Sequence, residues 1–93
     1  MVIGVLHVNA HVPRAQSLKD KRSVVKSLKD QLRGRFNVAV AEVEANDTWQ
    51  RAALGVVTVG DDRAYVAGLL RDVAAWLRQT RMVELIQLEE EYW

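Results

Sequence analysis

The sequence predicts an α+β sandwich with the element order β-α-β-β-α-β, and three observations carry that prediction. Residues 17–35 and 63–79 place apolar side chains at helical spacing, whereas 2–12, 36–44, 49–60 and 82–92 read as strands. The stretch Ala45-Asn46-Asp47-Thr48 is turn-forming and joins the second and third strands as a hairpin. Short connections and right-handed crossovers then leave the split β-α-β arrangement, a four-stranded antiparallel sheet with both helices on one face. Residues 1–93 are expected to form a single domain, because a chain of 93 residues holds one core.

In the first strand Val2, Leu6, Val8, Ala10 and Val12 share one face and should meet the helices, while Ile3, Val5, His7, Asn9 and His11 take the other. Pro13 ends this strand, having no N–H for the ladder. Ser17 is the expected N-cap of the first helix, and Asp20 three residues on resembles a capping box with Asp in place of Glu. Leu18, Val25, Leu28 and Leu32 form its apolar stripe, widened by Val24. Gly34 fits a left-handed C-terminal cap, with Arg33 and Arg35 at the negative end of the helix dipole.

The second strand changes phase from Val38 and Val40 to Ala41 and Val43, so a bulge is expected in it. The third should turn Ala52, Leu54 and Val56 inward. Asp61 or Asp62 then caps the second helix, whose broad apolar face comprises Val66, Leu69, Leu70, Val73, Ala74, Trp76 and Leu77. Gly68 costs this helix about 1 kcal/mol relative to Ala and is expected to allow a close approach to the sheet. The last strand ends in the acidic run Glu89-Glu90-Glu91.

A one-sided sandwich leaves the other sheet face open, and unbroken alternation puts Ile3, Val5, Val57, Val59, Val83 and Leu85 on it. A contiguous apolar patch of this kind marks an interface, so a homo-oligomer, most simply a two-fold dimer formed sheet to sheet, is expected, the alternative use of the face being to hold a small ligand.

Composition narrows the chemistry. There is no cysteine, which removes disulfides and thiolate metal sites. Apolar residues make up 49% and charged residues 27%, the proportions of an ordinary globular protein. No apolar run approaches the roughly 20 residues that span a bilayer, and the first residues read as a strand and not as a signal peptide, so no membrane association and a cytoplasmic location are expected. The formal net charge of +1 conceals an asymmetry. Eight basic residues stand against two acidic ones between Arg14 and Arg35, a surplus of +6, which leaves −5 for the remainder.

Five of those cations, Lys19, Arg22, Lys26, Lys29 and Arg33, recur at i, i+3, i+7, i+10 and i+14. Their stripe is offset by about 100° from the apolar one and should flank the buried face. It can serve as an anion-binding surface giving salt-sensitive, sequence-independent binding to RNA. It can equally be a solvated face whose stems cover the edge of the core, with part of its charge paired to the last strand or the second helix. No sequence-specific reading of DNA is expected.

Other chemistries find less support. His7 and His11 lie about 13 Å apart along a strand, too far to share a zinc ion held at about 2.1 Å, so no metal is expected. No nucleophile or nucleotide-binding motif is present, and neither a catalytic residue nor a cofactor is assigned. Acylphosphatases share this topology and hold phosphate in a glycine-rich loop with an arginine. Here the loop Val12-Pro13-Arg14-Ala15-Gln16-Ser17 has the arginine but no glycine, and Pro13 removes an amide. RNA-recognition motifs stack bases on aromatic side chains of their central strands, but the third strand here, Arg51-Ala52-Ala53-Leu54-Gly55-Val56-Val57, has none.

Three segments resemble the YlxP-like family of small bacterial proteins, a family of unknown function. They are Ser17-Leu18-Lys19-Asp20-Lys21-Arg22 after a Pro-ended strand, Arg35-Phe36-Asn37-Val38-Ala39-Val40-Ala41-Glu42-Val43, and Trp49-Gln50-Arg51-Ala52-Ala53-Leu54-Gly55-Val56. The likeness spans nearly the whole chain and is weakest at the last strand and Tyr92-Trp93. It implies a ferredoxin-like fold and no established activity. The family's association with genes for translation initiation and ribosome maturation makes RNA or a ribosomal particle the expected partner. Asp47, Trp49, Gln50 and Arg51 fall within its motif at the hairpin, where Trp49 is either a contact residue or a core anchor.

Overall fold

The computed structural model describes residues 1–44, 48 and 50–93. Its elements are β1 (Val2–His11), α1 (Leu18–Arg35), β2 (Ala39–Glu42), β3 (Arg51–Gly60), α2 (Arg63–Gln79) and β4 (Glu84–Tyr92). The strands form one antiparallel sheet in the order β2-β3-β1-β4, so the fold is the ferredoxin-like α+β sandwich. The expected hairpin turn, together with Trp49, falls largely outside the described residues.

Period-two alternation builds the core side of the sheet. Leu6, Val8, Ala10 and Val12 from the first strand meet Ala52, Leu54 and Val56 from β3, all of them buried. Val25, Leu28 and Leu32 of α1 and Val66, Leu70, Val73 and Leu77 of α2 close over them. Each such Leu contributes about 1.5–3 kcal/mol through removal from water. Helix α1 lies over β2 and β3, whereas α2 lies over β1, β3 and β4.

Both helices start where a side chain takes up a first-turn amide. The Ser17 hydroxyl accepts from Asp20 N–H at 3.1 Å, and Asp62 Oδ1 accepts from Ala64 N–H at 3.2 Å. The Asp20 carboxylate reaches back to Gln16 N–H at 3.0 Å, one residue beyond the usual capping-box target. The C-terminal end of α1 differs from expectation. Gly34 is helical and not left-handed, and no described residue has a positive φ. The helix instead stops at Phe36, whose extended backbone still donates its N–H to the Leu32 carbonyl at 3.0 Å.

The bulge sits in β4, not in β2. Register between β2 and β3 is constant from Ala39↔Val57 to Glu42↔Leu54, and Val43 N–H continues it to the Ala53 carbonyl. Val40 is therefore buried while Ala39, Ala41 and Val43 are exposed, with no change of phase. The strand is also shorter than its apolar run. Val38 N–H turns back to the Phe36 carbonyl, and the Thr58 hydroxyl takes the Asn37 carbonyl, so the ladder begins at Ala39. In β4, Asn9 pairs with Gln87 but Ala10 pairs with Leu85, so Ile86 is an extra residue. One inserted residue flips every side chain before it to the opposite face. Val83, 3% exposed, and Leu85 consequently face the helices, which corrects their expected place on the open face.

The close approach between sheet and helix is made at Gly4, not Gly68. A Cβ on Gly4 would strike Val66 Cγ1 and stand 2.9 Å from Leu70 Cδ1, whereas one on Gly68 would meet nothing within 4 Å.

Candidate nucleic-acid interface

Helix α1 sets the stripe because its apolar residues fix its rotation. With Leu28 and Leu32 fully buried, positions one residue later must emerge at the flank. Lys19, Arg22, Lys26 and Arg33 are exposed and Lys29 is half-buried. At 1.5 Å per residue the stripe runs about 21 Å from Lys19 to Arg33.

Its members differ in how they are held. Lys26 Nζ lies 3.3 Å from Asp30, and Arg33 Nη1 lies 3.7 Å from the same carboxylate. Both pairs are solvent-exposed helical spacings, worth a few tenths of a kcal/mol and easily exchanged for another anion. Arg33 Nη2 also donates to the Val40 carbonyl at 2.8 Å. That contact places the C-terminal end of the stripe along the outer edge of β2 and caps a carbonyl that another strand could otherwise pair with. Lys19, Arg22 and Lys29 have no partner among the described residues.

The acids of the last strand lie away from the stripe. Strand β4 is the opposite edge of the sheet from β2. Its carboxylates are engaged locally: Glu91 with His7 Nε2 at 2.9 Å, Glu84 with His11 Nδ1 at 3.4 Å, Glu89 with Gln87 at 2.6 Å and Glu90 with the Tyr92 hydroxyl at 2.9 Å. Arg35 turns the other way, with its guanidinium 5.2 Å from the Trp76 ring of α2.

Lys21 belongs to the basic segment but not to the surface. It is 4% exposed, and its ammonium meets Glu42 at 3.4 Å and donates to the Thr48 carbonyl at 3.3 Å. The signal for this was in the spacing, since Lys21 falls between Leu18 and Val25 at i+3 on the apolar stripe.

The loop after β1 has few amides left to cradle a phosphate. Ala15 N–H is bonded to the Val12 carbonyl at 3.2 Å and Gln16 N–H to the Asp20 carboxylate at 3.0 Å, a negative charge beside the loop.

On the open sheet face, Ile3 is paired with Val59 and Val5 with Val57, so these four form one patch. Beside it His7, Asn9, Gln87 and Glu89 surround a shallow hollow of about 150 Å³, with Ala53 and Val43 also lining it. His7 and His11 each pair with a carboxylate, and no group of three or more metal-ligating side chains occurs among the described residues. The hollow was not anticipated from sequence, because it depends on which residues of three strands and of the segment after β2 fall side by side.

Residues 3–90 match the family described as "Protein of unknown function (DUF503)". The chain is also similar to the uncharacterized protein YlxP of Bacillus subtilis (strain 168), with 33% identity over 76 residues, covering 82% of this chain and 83% of that one.

Proposed function

The chain belongs to the DUF503 family of proteins of unknown function, and within it we propose a non-enzymatic cytoplasmic accessory protein that binds RNA, free or in a ribosomal particle, through the cationic stripe of α1. One observation supports this reading above the others: the cationic stripe of α1 and the acidic last strand stand on opposite edges of the sheet, so those two charged surfaces do not pair with each other. A stripe serving only as a solvated rim requires no such separation. Backbone phosphates suit it, because Lys19, Arg22, Lys26, Lys29 and Arg33 present charge without an aromatic side chain among them to stack on bases. The family's association with translation genes favours RNA among polyanions.

The test is binding of a structured RNA at rising salt, comparing wild type with Arg22→Glu/Lys26→Glu. Wild-type affinity should fall steeply, with a log–log slope of about −3 to −4 for four or five phosphate contacts, and the double variant should lose most binding and about two units of slope. Equal binding by the variant, or no wild-type binding at low salt, overturns the proposal.

A further inference from the structure

The open sheet face carries an apolar patch that α1 and α2 leave uncovered. Ile3, Val5 and Val57 are half-buried and Val59 is 53% exposed. Trp93 exchanges both backbone hydrogen bonds with Ile3, so alternation puts it beside that residue, and it is 71% exposed. Apolar surface of this kind, gathered at one end of a face, is what an interface presents.

We propose that the occupant is a second copy of this chain, stacked sheet to sheet about a two-fold axis parallel to the strands. The register decides the axis. A two-fold running across the strands would lay β4 on its own copy and bring Glu89 and Glu91 against their equivalents. The axis along the strands instead lays β3 of each copy over β1 of the other. Val57 then meets Val5 and Val59 meets Ile3, because these residues already share cross-strand rows. Along the same strands, Ala53 lies opposite Asn9, and Gly55, which the Val43 side chain overlies, lies opposite His7. The carboxylates of β4 come over Ala39 and Ala41 at the rim, where water still reaches them. The polar hollow lies at the other end of the face and stays hydrated.

The area is sufficient. Strands of 10, 10, 9 and 4 residues make a face of about 520 Å² per copy at 3.3 Å per residue and 4.8 Å between strands, about 1,050 Å² in total, just above the threshold for a specific interface. A dimer in the micromolar range is expected, independent of the charge on α1.

Light scattering across micromolar concentrations tests it. The wild-type mass should climb from 10.5 kDa toward twice that value. Val57→Glu and Val5→Lys should each stay monomeric with unchanged circular dichroism, and mixing the two should restore a dimer, since residue 57 of one copy faces residue 5 of the other. A wild-type monomer at high micromolar concentration overturns the proposal and leaves the patch to a different partner. A Val57→Glu protein as dimeric as wild type overturns it too. A dimer that is lost in both variants but not restored on mixing overturns the axis.

Discussion

Lys21 carries a charge at a position whose neighbours along the stripe, Leu18 and Val25, are apolar. Its methylene stem fills core space while the ammonium exits to Glu42 and the Thr48 carbonyl. The two ends of the pair are not equivalent. The Glu42 side chain is 31% exposed and can be hydrated alone, whereas the Lys21 side chain at 4% cannot. Removing the carboxylate should therefore cost more than removing the charge from the lysine. We expect Glu42→Ala to destabilise by about 1–3 kcal/mol and Lys21→Met by less, read from urea midpoints at constant m-value. The reverse order would show that the contacts the ammonium makes outweigh the cost of depriving it of Glu42. This residue is counted correctly as basic from sequence, but its burial is visible only once the helical spacing is taken as seriously for Lys as for Leu.

Among the elements, the two helices were legible almost to the residue and the strands were not. Helix starts depend on local chemistry, Ser17 and Asp62 each taking up an amide two or three residues ahead. Strand phase depends on partners, and β4 shows the consequence: a single bulge at Ile86 returned Val83 and Leu85 to the core. Glycines follow the same division. Gly68 and Gly34 have open space around them in helices, so Gly68→Ala should stabilise by up to about 1 kcal/mol. Gly4→Ala should destabilise by about 1–3 kcal/mol, since a methyl there collides with Val66 and Leu70 and α2 must move off the sheet. Thermal midpoints of the two variants should move in opposite directions. If both rose, the packing of α2 on β1 would be looser than described.

At the scale of the whole molecule, the charge separation is a product of topology. The order β2-β3-β1-β4 puts the basic helix over one edge and the acidic strand on the other, and neither segment could show that alone. The same closure half-buries Tyr92 of the last strand against the core. Burial holds the Tyr92 phenol above its ordinary value of 10.0, reinforced by the hydrogen bond to Glu90 and that carboxylate's charge, against the pull of Arg63 and Arg71. The folded state thus keeps the proton that the unfolded chain releases first. Its contribution to stability is complete below pH 10, the unfolded value, and is lost as pH rises through the higher folded one. Alkaline unfolding of Tyr92→Phe should lack this component, and the difference in phenolate absorbance between wild type and Tyr92→Phe should titrate above 10.0. A difference curve centred at or below that value would remove the effect.

Sequence by itself determined the element order, both helix starts, the core faces of β1, β3 and α1, and the stripe of five cations, because each follows from a period or a cap that neighbours in the chain enforce. Only tertiary structure decided the phase of β4, the glycine that α2 packs against, the partners that Lys21 meets, and the distance between the cations and the acids of β4. Those outcomes depend on hydrogen-bond register and side-chain contact between segments far apart in the chain. No local pattern encodes them.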